Sequence, residues 1–340
     1  MTDFHTVQGF EDVWRPPVRP RIVRPRAVLR PSTASGGDAR ARLERIAARA
    51  PEVMVKVTGR TRDGAHLRAH LEYVSRNGQL ELEGADGALL VSRRDVADLA
   101  DEWAGAAFGD EFRRKDSPVS HSVILSMPAG TNEIAVRDAA RAFAADTFAG
   151  RHDYVFTLHT DTPRPHVHLS ICSRGQSGER LNPKKADLEL WRQTFAQALR
   201  DRGVEAEATP RRARGVTRKA ERTPLRKIRD RHESGAGAMA HVRQAAYREA
   251  AAAAFQGETR RTPWEQRIVE RQRTVRGLYL AQARLLIQSG DATDRALGAK
   301  VEAFVRDMPH SDTQRLALAR ELRAANEAMR RRGDDRERSR

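Results

Sequence analysis

His159, His166 and His168 stand within ten residues of one another in a 340-residue chain that holds 11 histidines in all. The stretch around them, Tyr154 to Ser173, reads as two short β-strands joined by a Pro-containing turn. Side chains alternate between the faces of a strand, so His166 and His168 point one way while Val167, Leu169 and Ile171 enter an apolar layer on the other. An antiparallel hairpin turning around Asp161 to Pro165 sets His159 beside His166 on the same face, and three imidazoles converge. Three neutral imidazoles with open positions left over suit a divalent metal that must also take a substrate oxygen. A pair of histidines on a half-buried strand also has a plain structural reading, as hydrogen-bonded core groups. The third histidine favours the metal.

A metal held beside a basic surface suits phosphodiester chemistry, in which the ion polarises the scissile phosphate. The net charge of +16 and pI near 10.9 point to a polyanionic partner, with nucleic acid ahead of an anionic membrane surface. Only seven of the 62 basic residues are lysine, an arginine excess that fits phosphate binding and fits a compositional bias of the genome equally. No apolar run approaches the ~18 residues of a membrane span, and no signal-peptide core opens the chain. The lone Cys172 excludes an internal disulfide and fits a reducing cytoplasm; it shares strand parity with His166 and His168, and a core role suits it better than a ligand role.

The elements that must position the histidines can be read in order. Residues 1–50, rich in Pro and Arg with a near repeat at Val18-Arg19-Pro20-Arg21 and Val23-Arg24-Pro25-Arg26, read as a flexible basic arm. A first strand begins at Val53 to Val57, bounded by Thr58-Gly59, and a helix from about Asp63 to Ser75 carries Leu67, Leu71 and Val74 at helical spacing before an Asn77-Gly78 stop. Helical signals return from Asp95 to Phe108, a strand follows from Val119 to Ser126, and a helix from about Asn132 to Phe148. After the hairpin comes a helix from Asp187 to about Arg202. The expected fold is α/β: an antiparallel-rich sheet with helices packed on it, over residues 51–215.

The segment from Arg211 to Arg229 holds nine Arg or Lys against one Glu and closes that domain, leaving residues 216–340 as a basic helical region. Capping boxes at Thr262-Pro263-Trp264-Glu265 and Ser311-Asp312-Thr313-Gln314 open helices there, the first running to about Gln288. Tyr247 and Tyr279 read as packing residues. Among the four tyrosines, Tyr73 differs: it ends a short helix before Ser75-Arg76-Asn77-Gly78, where a phenol reaches solvent. A phenol is a weak nucleophile until a base or a metal field assists it, and half-exposed tyrosines at helix ends are ordinary.

Three segments carry a resemblance that bears on the choice: Leu71-Glu72-Tyr73-Val74-Ser75-Arg76-Asn77-Gly78-Gln79-Leu80-Glu81-Leu82, His121-Ser122-Val123-Ile124-Leu125-Ser126-Met127-Pro128-Ala129-Gly130-Thr131, and His159-x-Asp161-x-x-x-Pro165-His166-x-His168. In order and spacing they resemble the three motifs of conjugative relaxases of the P-type, T-DNA border nuclease-like branch, a group of His-hydrophobic-His endonucleases. The resemblance covers about residues 53–215. It implies a relaxase that nicks one strand at a plasmid or mobile-element transfer origin by tyrosine transesterification, leaving a 5′-phosphotyrosyl DNA that is carried into the recipient and resealed.

On that resemblance Tyr73 matches the nucleophile, and His159, His166 and His168 the metal triad, with Mg²⁺ or Mn²⁺ as the ion. Ser126 matches a serine taken to contact DNA near the nick; a turn or cap residue explains it equally. Asp161 matches an acidic position that orients a histidine or assists Tyr73, although an Asx-type turn accounts for it nearly as well. Arg76, Arg211, Arg212, Arg214 and Arg218 are the expected DNA contacts. The implied partners are single-stranded origin DNA, relaxosome accessory proteins and a type IV secretion coupling protein, in a cytoplasmic setting. A rolling-circle replication initiator of the same class would place its tyrosine after the histidines, whereas Tyr73 precedes them. A non-enzymatic basic DNA-binding accessory protein is the alternative from outside the enzymes.

Overall fold

The computed structural model describes residues 4–14, 36–111, 113–114, 116–218, 221, 223–256 and 261–338. The described residues divide into two compact units, the first within 36–209 together with 4–5, and the second within 210–338 together with 6–14. The first unit contains a helix α1 (Gly36–Ala47), then β1 (Met54–Thr61), α2 (Gly64–Val74), β2 (Leu82–Gly84), β3 (Leu89–Leu90), α3 (Arg93–Phe108), β4 (Ser120–Ser126), α4 (Glu133–Phe148), β5 (Tyr154–His159), β6 (His166–Cys172) and α5 (Lys185–Arg200). Six strands form one sheet in the order β1-β4-β6-β5-β2-β3, every pairing antiparallel, so the expected α/β class holds.

Period-two alternation sorts the sheet's residues between two layers. Val55, Val123, Leu125, Phe156, Val167, Leu169 and Ile171 enter one core with Phe143 and Phe148 of α4 and Trp191 and Phe195 of α5. The edge-to-face rings of Phe148 and Trp191, 5.3 Å apart, fill its centre. On the opposite face Val155 and Cys172 pack under Leu67, Leu71 and Val74 of α2 and Val96, Ala100 and Trp103 of α3. The spacing of Leu67, Leu71 and Val74 is the apolar stripe that the sequence displays on α2. Cys172 is therefore buried in this second core, away from any ligand role.

Several boundaries depart from the sequence reading. β1 continues through Thr58-Gly59 to Thr61 because a register shift between Val57 and Gly59 absorbs the glycine as a bulge. The short β2–β3 hairpin carries too few residues for a periodic signal.

The basic arm also needs correction. Residues 15–35, with the Val-Arg-Pro-Arg repeat, lie outside the described residues, but the segments flanking them are built into the two units. In the first unit, α1 buries Leu43 and Ile46 and sets Arg42 and Arg45 against the buried Glu207. In the second, Phe10 and Trp14 are buried against Tyr279, whose hydroxyl accepts from the Trp14 indole at 3.0 Å.

The second unit is helical: α6 (Thr223–Glu233), α7 (His241–Phe255), α8 (Pro263–Ile287), α9 (Ala292–Arg306) and α10 (Gln314–Arg338). The α8 box forms, with Glu265 accepting the Thr262 amide at 2.9 Å. The second expected box does not. α10 starts at Gln314, and the Thr313 hydroxyl is drawn instead to the buried Glu265 carboxylate at 2.7 Å. That carboxylate also takes Arg315; burial pushes its pKa up, but the guanidinium and the hydrogen bonds outweigh this and bring it to about 2. The basic run also lies here, as a single tight turn at Arg211–Arg214 followed by α6. The division between units thus falls at Pro210, ahead of the basic run and not behind it.

His121, on β4, is 1% exposed and shares a 2.9 Å hydrogen bond with the Ser173 hydroxyl. Burial first, then the Arg60 and His152 charges, lowers its pKa from 6.5 to about 4. A folded-state pKa below the unfolded one means the unfolded chain binds the extra proton, so this stability is complete above about pH 6.5 and is lost as the pH falls toward 4. His121→Gln should therefore flatten the pH dependence of the urea midpoint within that window, by up to about 1.4 kcal/mol per pH unit. Equal slopes for the two proteins would remove His121 from the acid transition.

Candidate active site

The hairpin register places His159 directly opposite His166. Ring centroids are 5.3 Å apart for His159 and His166, 4.4 Å for His159 and His168, and 5.2 Å for His166 and His168. One nitrogen from each ring lies within 4.8 Å of the others, a spacing that a single divalent ion can satisfy.

The donor chemistry fits as well. His159 Nε2–H donates to the Val74 carbonyl at 2.8 Å, which leaves Nδ1 as its lone-pair nitrogen. His166 Nδ1–H donates to the Arg164 carbonyl at 3.1 Å, leaving Nε2. Fixing one ring nitrogen on a backbone carbonyl so that the other is a ligand is how proteins orient metal-binding histidines. Burial, then His159, His166 and His70, lowers the His168 pKa to about 3, so its ring is neutral at physiological pH. Burial also lowers His159. The three imidazoles can hold a divalent cation.

Tyr73 is the penultimate residue of α2, on the solvent side and 64% exposed. Its neighbour Val74 is the residue whose carbonyl receives His159, so the helix end bearing the phenol is fastened to a triad histidine through one backbone bond. Beyond it the chain reverses through three left-handed residues, Arg76 (φ 54°), Asn77 (φ 58°) and Gly78 (φ 82°). Asn77 N–H returns to the Glu72 carbonyl at 2.7 Å and closes the helix. Only glycine suits the third position, because a Cβ there would lie 2.7 Å from the Arg93 amide at the start of α3.

The remaining candidates separate. Ser126 faces the triad opposite His166 and is 6% exposed, its hydroxyl donating to the Met127 carbonyl at 3.3 Å. Asp161, in the hairpin turn, is ion-paired with Arg76 of the reversal. Slight burial pushes its carboxyl up, but Arg76, followed by His159 and His166, outweighs that and holds it below the usual carboxylate range. Two residues read independently, one for DNA and one for chemistry, are partners here. Arg211, Arg212, Arg214 and Arg218 belong to the other unit. There Arg212 donates to the Asp12 carbonyl at 3.1 Å and Arg218 lies 3.7 Å from Glu321.

The sequence reading omitted His70. One turn before Tyr73 on α2, its Nε2 lies 2.7 Å from the Ser122 hydroxyl of β4 and 3.2 Å from the Ser170 hydroxyl of β6, directly behind His168 in the sheet. The His-x-x-Tyr spacing was visible, but nothing in the sequence indicates that two serines from different strands would meet that ring. His70→Ala strands both hydroxyls against the sheet and should cost about 1–3 kcal/mol in chemical denaturation. His70→Gln, which can return a nitrogen to the same place, should recover most of it. Equal losses for the two variants would refute the hydrogen-bonding role.

The comparisons with known proteins converge on this unit. The model of the family "Relaxase: MobA/VirD2-like, nuclease domain" matches residues 73–204. The T-DNA border endonuclease VirD2 of Rhizobium radiobacter is 28% identical over 185 residues, covering 48% of this chain and 43% of that protein. The VirD2 of Agrobacterium fabrum is 27% identical over 208 residues, covering 52% and 46%. The chain thus spans less than half the length of these curated relatives. The matched segment runs from Tyr73, through the triad, to the end of the layer that packs beneath it, and so over residues 73–204 the chain is similar to the nuclease domain of MobA/VirD2-like relaxases.

Proposed function

We propose that the protein is a relaxase enzyme that nicks one strand of DNA at a transfer origin, with Tyr73 as the nucleophile and His159, His166 and His168 as the ligands of a Mg²⁺ or Mn²⁺ ion. The observation that carries the reading is the bond from His159 to the Val74 carbonyl, which fixes the Tyr73 end of α2 beside the imidazole cluster. When bound, the ion supplies positive charge that polarises the scissile phosphate and stabilises the charge developing on it.

The chain's own groups account for the rest. The Tyr73 phenol oxygen attacks phosphorus and gives up its proton to solvent, the bond from phosphorus to the 3′ oxygen breaks, and the 3′ oxygen leaves as a hydroxyl by taking a proton from solvent. One phosphodiester is exchanged for another, so the step is reversible and the joined strand can be resealed. Asp161 holds Arg76 at the mouth of the site, where the guanidinium can pass to a DNA phosphate. Ser126 offers its hydroxyl to the strand beside His166. Arg211, Arg212, Arg214 and Arg218 provide further phosphate contacts. The name of the relatives, T-DNA border endonuclease, agrees with this reaction class. Relaxosome accessory proteins and a type IV secretion coupling protein are the expected partners in a cytoplasmic relaxosome.

Incubation with single-stranded oligonucleotides tiling the neighbouring transfer origin should give a covalent protein–DNA adduct on a denaturing gel, dependent on Mg²⁺ or Mn²⁺ and abolished by chelator. Tyr73→Phe should lose the adduct and keep single-strand binding, because only a hydroxyl is removed. His166→Ala combined with His168→Ala should lose both the adduct and Mn²⁺ binding. An undiminished adduct with Tyr73→Phe, or cleavage at full rate in chelator, would contradict the assignment.

A further inference from the structure

The sheet face that bears the triad is covered over only half its length. Four rows of side chains cross β1, β4 and β6 on this face. The rows Thr61–Ser120–Cys172 and Gly59–Ser122–Ser170 lie at the end where α2 and α3 pack: Cys172 joins their apolar core, and His70 of α2 reaches both Ser122 and Ser170. The next rows are Lys56–Ile124–His168–Thr157 and Met54–Ser126–His166–His159, the last residue of each supplied by β5. The helical cover stops at their β5 side, where Val74 meets His159.

On the β1 side these two rows are open. Met54 is 47% exposed although it is a large apolar residue on a strand, and Lys56 is exposed beside it. Ile124, in the sheet's interior, is the one residue of β4 that is not buried. Val55 and Val57 alternate into the α4–α5 core, which fixes Met54 and Lys56 on the triad's face. Met54 and Ile124 belong to neither apolar core of the sheet, and with the Lys56 ammonium they continue the two rows that hold the three imidazoles.

We propose that this strip is a nucleotide-binding subsite: the Lys56 ammonium takes the DNA phosphate next to the one at the triad, and Met54 with Ile124 forms the floor on which the intervening base lies. The inference rests on the reading of the triad as a nuclease centre and assigns the direction in which the strand crosses the sheet, from β5–β6 over β4 to the β1 edge. Spacing permits it. Neighbouring strands lie about 4.8 Å apart, so the Lys56 Cα is roughly 10 Å from that of His168, and the lysine stem closes much of the gap. Its chemistry is that of single-strand binders, in which cations follow the backbone and flat apolar surface receives bases whatever their identity. Methionine is suited to such a floor because its soft, unbranched chain adapts to either ring size.

The test is binding of a fluorescein-labelled single-stranded oligonucleotide, followed by anisotropy across a salt series, in the full chain carrying Tyr73→Phe so that no cleavage intervenes. Lys56→Gln should lower the slope of log affinity against log salt by about 0.7, one phosphate's worth, and Lys300→Gln, the same charge change on α9, should leave it unchanged. Met54→Ser should weaken binding roughly threefold with the slope intact, and an abasic residue at one position of the oligonucleotide should erase that difference. Both positions are exposed at a sheet edge, and unchanged thermal midpoints would show that the variants fold.

Equal slopes for Lys56→Gln and the Tyr73→Phe parent, or equal losses for Lys56→Gln and Lys300→Gln, would overturn the subsite. So would a Met54→Ser deficit that no abasic position removes. The nuclease reading fails separately: a wild-type chain whose binding responds to Lys56 and Met54 as described but which never forms the covalent adduct keeps the subsite and loses the reaction.

Discussion

One hydrogen bond, from His159 Nε2 to the carbonyl of Val74, joins the two parts from which the candidate site is built. At one end is a strand histidine whose tautomer the bond selects; at the other is the last turn of α2, whose exposed side chain is Tyr73. A helix's final carbonyls have no intrahelical donor, so this acceptor was available, and a ring N–H from the sheet fills it. The same contact therefore satisfies the helix end, aims Nδ1 of His159 into the cluster and sets where a phenol can be. His70, one turn earlier, and the Arg76–Asp161 pair, two residues later, repeat the logic, tying α2 to β4 and β6 and its end to the hairpin turn.

That attachment explains why the sheet face is divided. α2 and α3 cover the rows in which Val155 and Cys172 can contribute apolar area, and the cover ends where the rows take up the three histidines and Lys56. The opposite face is packed by α4 and α5 over Val, Leu, Ile and Phe side chains, with His121 buried in one of its rows. A closed core on one side makes the strands rigid enough to hold three imidazoles at ligand spacing on the other. Functional polarity is thus carried by a scaffold whose stability comes from elsewhere.

Much of this was legible in the sequence, and the reasons differ by residue. The convergence of the three histidines was visible in the alternation: with the hairpin turning around Asp161 to Pro165, His159 falls beside His166 on the face that also bears His168, and that pairing is observed. The helix stop at Asn77-Gly78 was visible because left-handed backbone selects those residue types. The bulge at Thr58-Gly59 was hidden because a glycine inside a strand looks like its end. Phe10 and Trp14 were read as part of a loose arm because their partner, Tyr279, lies 265 residues from Trp14, beyond the reach of any local pattern. Nothing in the sequence singles out Lys56 and Met54, because only the β1–β4 register sets them in line with the triad. His70 and the Arg76–Asp161 pair likewise depend on neighbours that only the folded chain supplies.

The central claim is that three particular ring nitrogens face one ion beside the end of α2. Anomalous diffraction at the manganese edge, from crystals of the full chain soaked in Mn²⁺, tests it most directly. A single strong peak is expected within bonding distance of His159 Nδ1, His166 Nε2 and one nitrogen of His168, with the His159 Nε2–Val74 bond intact. A peak bonded to His159 Nε2, with the Val74 carbonyl released, or no peak at the triad at full soak, would contradict it.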